Sequence, residues 1–129
     1  MRKAFAAILL LGAVACGGND PINPAYQPQI VNLTDSFSFQ LTGVQNGSAT
    51  LSYTWQNTGT RATIDRSSAI TAGTVNLTLK DSAGTVVYSA PLNGASGSVA
   101  TSAGAAGAWT IVVDFSGATG TINFRAQKL

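Results

Sequence analysis

Histidine and glutamate are missing from this chain of 129 residues, and it has a single cysteine. These gaps exclude much chemistry. Nucleophilic catalysis pairs a serine or cysteine with a positioned base, and there is no imidazole to serve as one. Transition-metal sites draw on histidine and thiolate. Calcium wants clustered carboxylates, and Asp81 with Ser82 offers one, which reads more simply as a capped turn. Paired-carboxylate catalysis needs two acids about 5–10 Å apart, whereas Asp35, Asp65, Asp81 and Asp114 are scattered over turns and polar faces. A Ser–Lys dyad would have to use Lys80 or Lys128, one beside a turn and one at the C-terminus. The expectation is a protein that is not an enzyme and takes neither metal nor cofactor.

Charge is also scarce. Two of the 7 basic residues, Arg2 and Lys3, stand at the very N-terminus. Beyond them, Arg61, Arg66, Lys80, Arg125 and Lys128 are matched by Asp20, Asp35, Asp65, Asp81 and Asp114, five against five, for a net charge of zero. No basic stripe remains of the kind nucleic acid requires, and no polybasic patch for anionic lipid. Nucleic acid is therefore excluded as a partner.

Long hydrophobic runs are confined to one place. Ala4–Ala15 is apolar or small throughout and follows Arg2 and Lys3. It falls short of the roughly 20 residues that span a bilayer, and has the length and flanks of a secretory signal. Its end, Ala13-Val14-Ala15-Cys16, resembles the lipobox of bacterial lipoproteins, with Ala13 where leucine is usual. The resemblance implies cleavage before Cys16 and lipidation of its thiol. An ordinary secreted protein cut at the same place would carry an unpaired thiol into an oxidising compartment, which is a liability. Two acyl chains hold a protein stably where one does not, so the membrane is an expected partner through the lipid on Cys16. Gly17 stands where an inner-membrane retention Asp often sits, and by resemblance this favours the outer membrane of the bacterial envelope.

Residues 16–29 read as the lipidated cysteine and a tether, with Gly17, Gly18, Pro21, Pro24 and Pro28. Such a segment runs extended at about 3.1 Å per residue. From Ile30 to Leu129 the hydrophobic period is two. Apolar sets recur at Phe37–Leu41, Leu51–Trp55, Ala62–Ile64, Val75–Leu79, Val86–Ala90, Val99, Trp109–Phe115 and Ile122–Ala126. One apolar and one polar face mark antiparallel sheet packed on one side. About eight short strands predict an all-β antiparallel sandwich, jelly-roll-like. The breaks carry turn chemistry: Asn57–Thr60 predicts a tight hairpin, Asp81–Gly84 a type I turn, Ser116–Gly120 a longer hairpin loop, and Ile70–Gly73 a crossover. Asn93–Gly107, rich in glycine, alanine and serine, reads either as a weak edge strand or as a mobile loop.

Val75-x-Leu77-x-Leu79-x-Asp81-x-x-Gly84, with Gly107-x-Trp109-Thr110-Ile111-x-Val113 and Gly120-x-Ile122-x-Phe124, resembles bacterial pre-peptidase C-terminal domains. Trp109 stands where that family usually has tyrosine, and no peptidase domain accompanies it. The resemblance implies a secreted, non-catalytic sandwich concerned with binding or targeting.

Four residues are candidates for ligand contact. Trp55 and Trp109, if exposed, would stack on sugar rings; their register with Leu51, Tyr53, Ile111 and Val113 assigns both to the buried face. Arg61 and Arg66 flank a strand and would meet a carboxylate ligand, or pair with Asp65 or another surface aspartate at the solvated rim. The expected role is a lipid-anchored structural or protein-interaction module with an envelope protein as partner; the alternative is a glycan-binding module at the cell surface.

Overall fold

The computed structural model describes residues 27–129. The signal, Cys16 and most of the tether lie outside the described residues. The rest is an all-β, antiparallel, sandwich-like fold of seven strands: β1 (Gln29–Leu33), β2 (Ser36–Asn57), β3 (Ala62–Ser67), β4 (Ala69–Lys80), β5 (Val86–Pro91), β6 (Ser96–Ala100) and β7 (Gly107–Lys128). β1 begins at Gln29, the last residue assigned to the tether.

Eight apolar runs become seven strands because two pairs of runs fuse, while β1 adds a strand at the N-terminal edge. Phe37–Leu41 and Leu51–Trp55 both belong to β2, and Trp109–Phe115 and Ile122–Ala126 both belong to β7. Ser116–Gly120 is therefore a bend within β7 rather than a hairpin loop. Ile70–Gly73 is likewise not a crossover: it lies in β4, and Ile70 and Ala72 pair with Gly120 and Thr119 of β7. Asn57–Thr60 is not a tight hairpin either, since β2 pairs with β1 and β7 while β3 pairs with β6 and β7. Turn residues mark where a chain bends, and whether the flanking strands then pair is decided by the partners they find across the sheet.

Three stretches bend at one level. β2 shifts register three times between Leu41 and Ala49, β4 twice between Ile70 and Thr74, and β7 runs opposite both. Bulges of this kind carry strands around corners between packed sheets. Two glycines make the corner possible. A Cβ on Gly73 (φ +71) would lie 2.1 Å from the Gly117 carbonyl oxygen, and one on Gly120 (φ +138) would lie 2.1 Å from that of Ala69. The break between β3 and β4 falls at Ser68, whose hydroxyl donates to the Asn123 carbonyl (3.1 Å) and accepts from the Asn123 N–H (2.8 Å). The side chain thus stands in for the missing ladder bonds along β7.

The hydrogen-bonded sheet folds over itself into two layers. The first has the order β1, β2 up to Leu41, β7 from Ile122, β3, β6; the second has β2 from Ala49, β7 up to Phe115, β4, β5. The two halves of β2 meet face to face, with the Phe37 and Tyr53 rings 5.5 Å apart. Phe37, Phe39, Leu41, Ile64, Leu77, Leu79, Ile111, Val113 and Phe124 fill the space between the layers. Each comes from the apolar side of an alternating strand, so the core follows from the period of two.

Candidate functional site

Both tryptophans are fully buried. Their register puts them directly opposite each other on β2 and β7. The Trp55 indole donates to the Leu33 carbonyl (3.0 Å) and that of Trp109 to the Ala105 carbonyl (2.8 Å). A buried indole needs such a partner. Neither ring offers a face for stacking on a sugar.

The two arginines do not pair with Asp65. Arg61 donates from Nε to the Thr101 carbonyl at 3.1 Å. Arg66 donates to the carbonyls of Gly97 (3.2 Å) and Ser96 (2.9 Å), spanning the start of β6 with its planar fork. The cation that meets Asp65 is Arg125, with Nη2 3.2 Å from Oδ2. β3 and β7 are in register there, Asp65 opposite Arg125, whereas Arg66 faces Phe124 and Gly97.

Two aspartates organise the end of the sandwich where both long strands begin and finish. Asp81 is buried in the β4–β5 turn: Oδ1 accepts the N–H of Ala83 (3.0 Å) and Thr85 (2.8 Å), and Oδ2 that of Ala105 (2.8 Å). The turn closes with Gly84 N–H on the Asp81 carbonyl at 3.0 Å. The Ala105 and Thr85 amides hold the Asp81 carboxyl below its ordinary range, against the opposing effect of burial. Asp35 (φ +67) ends the two-residue connection from β1 to β2. It accepts the Thr58 N–H (2.7 Å) and hydroxyl, with Lys128 Nζ 3.9 Å away. The Thr58 amide is the largest cause of its lowered pKa.

The Asn93–Gly107 stretch is an edge strand with pinned flanks. Among the described residues β6 pairs with β3 alone. After it, Thr101, Ser102 and Gly104 donate their N–H groups to the carbonyls of Ala62, Val87 and Thr60. Ser82 Oγ adds bonds to the Ala105 and Ala106 carbonyls.

One concave polar feature was not read from the sequence. Ser38, Asp65, Ser67, Asn123 and Arg125 line a cleft of about 200 Å³ on the outer face of the first layer. They come from three strands far apart in sequence, which meet because Ser38 pairs with Arg125 and Arg125 with Asp65. The signal is cross-strand register, which no local spacing reveals. Among the described residues, no three His, Cys, Asp or Glu side chains gather as a metal site. No protein-family model matches the chain, and no curated protein matches it.

Proposed function

We propose that this chain is a lipid-anchored, non-catalytic lipoprotein of the bacterial envelope, whose β-domain serves as a structural or protein-interaction module at the outer membrane. The observation that carries the interaction part of the reading is β6; the anchoring part rests on the Cys16 signal in the sequence. β6 is five residues long, pairs on one side only among the described residues, and has no charged side chain of its own. Such an edge adds a partner's strand through main-chain hydrogen bonds. Its residues are small, and the exposed backbone at Ser98 and Ala100 is clear of Arg66, which holds the carbonyls of Ser96 and Gly97. The titratable groups nearby fit a non-catalytic role, because Asp81, Arg61 and Arg66 are engaged with backbone.

The test has two arms. A photo-crosslinker at Ser98, compared with one at Thr78 on the other layer, should give a discrete adduct in cells at Ser98 alone. Equal labelling at both positions, or none at either, would argue against β6 as the contact. Cys16→Ser should leave the protein unprocessed or soluble; if that variant fractionates with membranes as wild type does, lipid anchoring is wrong.

A glycan-binding role is the second reading. With both indoles buried, its support moves to the cleft beside Arg125.

A further inference from the structure

We infer that the Ser38–Asp65–Ser67–Asn123–Arg125 cleft is a binding site for one neutral pyranose unit of a glycan, with Val31 as its apolar ledge. The inference rests on the second reading above and is independent of the β6 edge.

Three of the five lining residues, Ser38, Arg125 and Asp65, lie on one cross-strand row, and Ser67 and Asn123 stand two positions along β3 and β7 from it. Val31 pairs with Ser38, Ser38 with Arg125, Arg125 with Asp65 and Asp65 with Ser98. Residues so paired point to the same face. Val31 is 52% exposed, one of the few large apolar side chains left in solvent among the described residues. An apolar ledge therefore stands beside a polar floor, and a pyranose presents the matching pair: C–H groups on its face and hydroxyls around its rim.

The floor has unused hydrogen-bonding capacity. Arg125 and Asp65 share one bond, Nη2 to Oδ2 at 3.2 Å, which among the described residues leaves the guanidinium's other N–H groups and the second carboxylate oxygen open. The hydroxyls of Ser38 and Ser67 and the amide of Asn123 make no side-chain bond within the described residues. Guanidinium, carboxylate and carboxamide are planar, with paired donors or acceptors, and they match vicinal hydroxyls, each of which donates and accepts. Asp65 opposes an anionic ligand and Arg125 a cationic one, so the pair selects for neutrality. The volume, about 200 Å³, is below the range of drug-sized pockets and suits one sugar ring.

The test uses the isotope-labelled lipidated protein in a sugar-free detergent, titrated with methyl glucoside, methyl N-acetylglucosaminide, glucuronate and glucosamine. The expected result is saturable amide shifts centred on Ser38, Asp65 and Arg125 with a neutral glycoside, weaker with both charged sugars. Arg125→Gln and Asp65→Asn should each reduce that affinity about tenfold or more, the loss of one hydrogen bond to a charged group. Both side chains are about half exposed, so the amide spectra should otherwise stay those of wild type; Thr78→Ala on the other layer should bind as wild type does. Saturable binding centred elsewhere would overturn the cleft while leaving the glycan reading standing. Absence of saturable binding by all four sugars would overturn both. Tighter binding of a charged sugar would overturn the selection for neutrality.

Discussion

Trp55 and Trp109 meet edge to face in the core, with ring centroids 5.9 Å apart and planes at 87°. Each indole N–H reaches out of the β2–β7 pair, Trp55 to β1 and Trp109 to the segment after β6. The pair therefore fastens two peripheral segments to the centre of the sheet. Truncation to alanine at either position should cost about 3–5 kcal/mol, as for large buried aromatics generally. Phenylalanine should cost less, because it keeps most of the buried area and loses the hydrogen bond. Denaturant melts of the four variants check the order. Acrylamide should quench native fluorescence weakly and unfolded fluorescence strongly; strong quenching in the native state would contradict burial.

The corner makes a second, sharper prediction, because Gly43 and Gly73 share nearly the same φ and differ in what a Cβ would meet. At Gly43 (φ +69) nothing lies within 4 Å of the place a Cβ would take, whereas Gly73 and Gly120 would drive a Cβ into backbone oxygens at 2.1 Å. Gly43→Ala should therefore show only the left-handed penalty, about 1–2 kcal/mol. Gly73→Ala and Gly120→Ala add a steric clash with backbone and should lose more than about 4 kcal/mol or fail to fold. Equal effects at Gly43 and Gly73 would mean that the close approach at the corner relaxes at little cost.

These particular residues show how much was legible in advance. Alternation identified the major core strands, because burial of one face demands a period of two. It placed Trp55 and Trp109 inside for the same reason. But it set Val86 with Tyr88 and Ala90, whereas Val86 is exposed and Val87 is the buried residue of β5. The Asp81 turn was legible too, since aspartate and glycine at those offsets have a local mechanism. Continuity of β2 and β7 was not. A bulged strand and a hairpin share glycine, asparagine and serine, and pairing alone distinguishes them. Arg125 was missed for the same reason: nothing near it in the sequence announces Asp65, 60 positions away.

The two organising aspartates set a pH dependence. Both carboxyls are held below their ordinary range, chiefly by backbone amides. A group whose pKa is lower folded than unfolded stabilises the fold above its unfolded pKa and loses that contribution as pH falls through the folded value. The melting temperature should thus be flat from neutral pH down to about pH 5 and fall below about pH 4, where free aspartate protonates. Asp81→Asn should lower stability at neutral pH and flatten the acid limb, because its amide nitrogen would face N–H donors where Oδ1 or Oδ2 now accepts. A variant as acid-sensitive as wild type would show that Asp81 is not the group responsible.

Arg66 decides how available the β6 edge is. Natural sheets protect edges with charge, and here the charge comes from the neighbouring strand: Arg66 of β3 occupies the carbonyls of Ser96 and Gly97. Arg66→Ser removes that cover without touching the core. Stability should change by less than about 1 kcal/mol, because the guanidinium bonds are exposed and surface interactions of this kind contribute little. Self-association should rise, read as a concentration-dependent shift in sedimentation velocity. Arg66→Lys should rescue only partly, since a point ammonium does not reproduce a planar fork across two carbonyls. The same variant sharpens the interaction reading. If β6 receives a partner's strand, Arg66→Ser should strengthen the Ser98 crosslink as well as self-association. A monomer with unchanged crosslinking would place the working surface away from this edge.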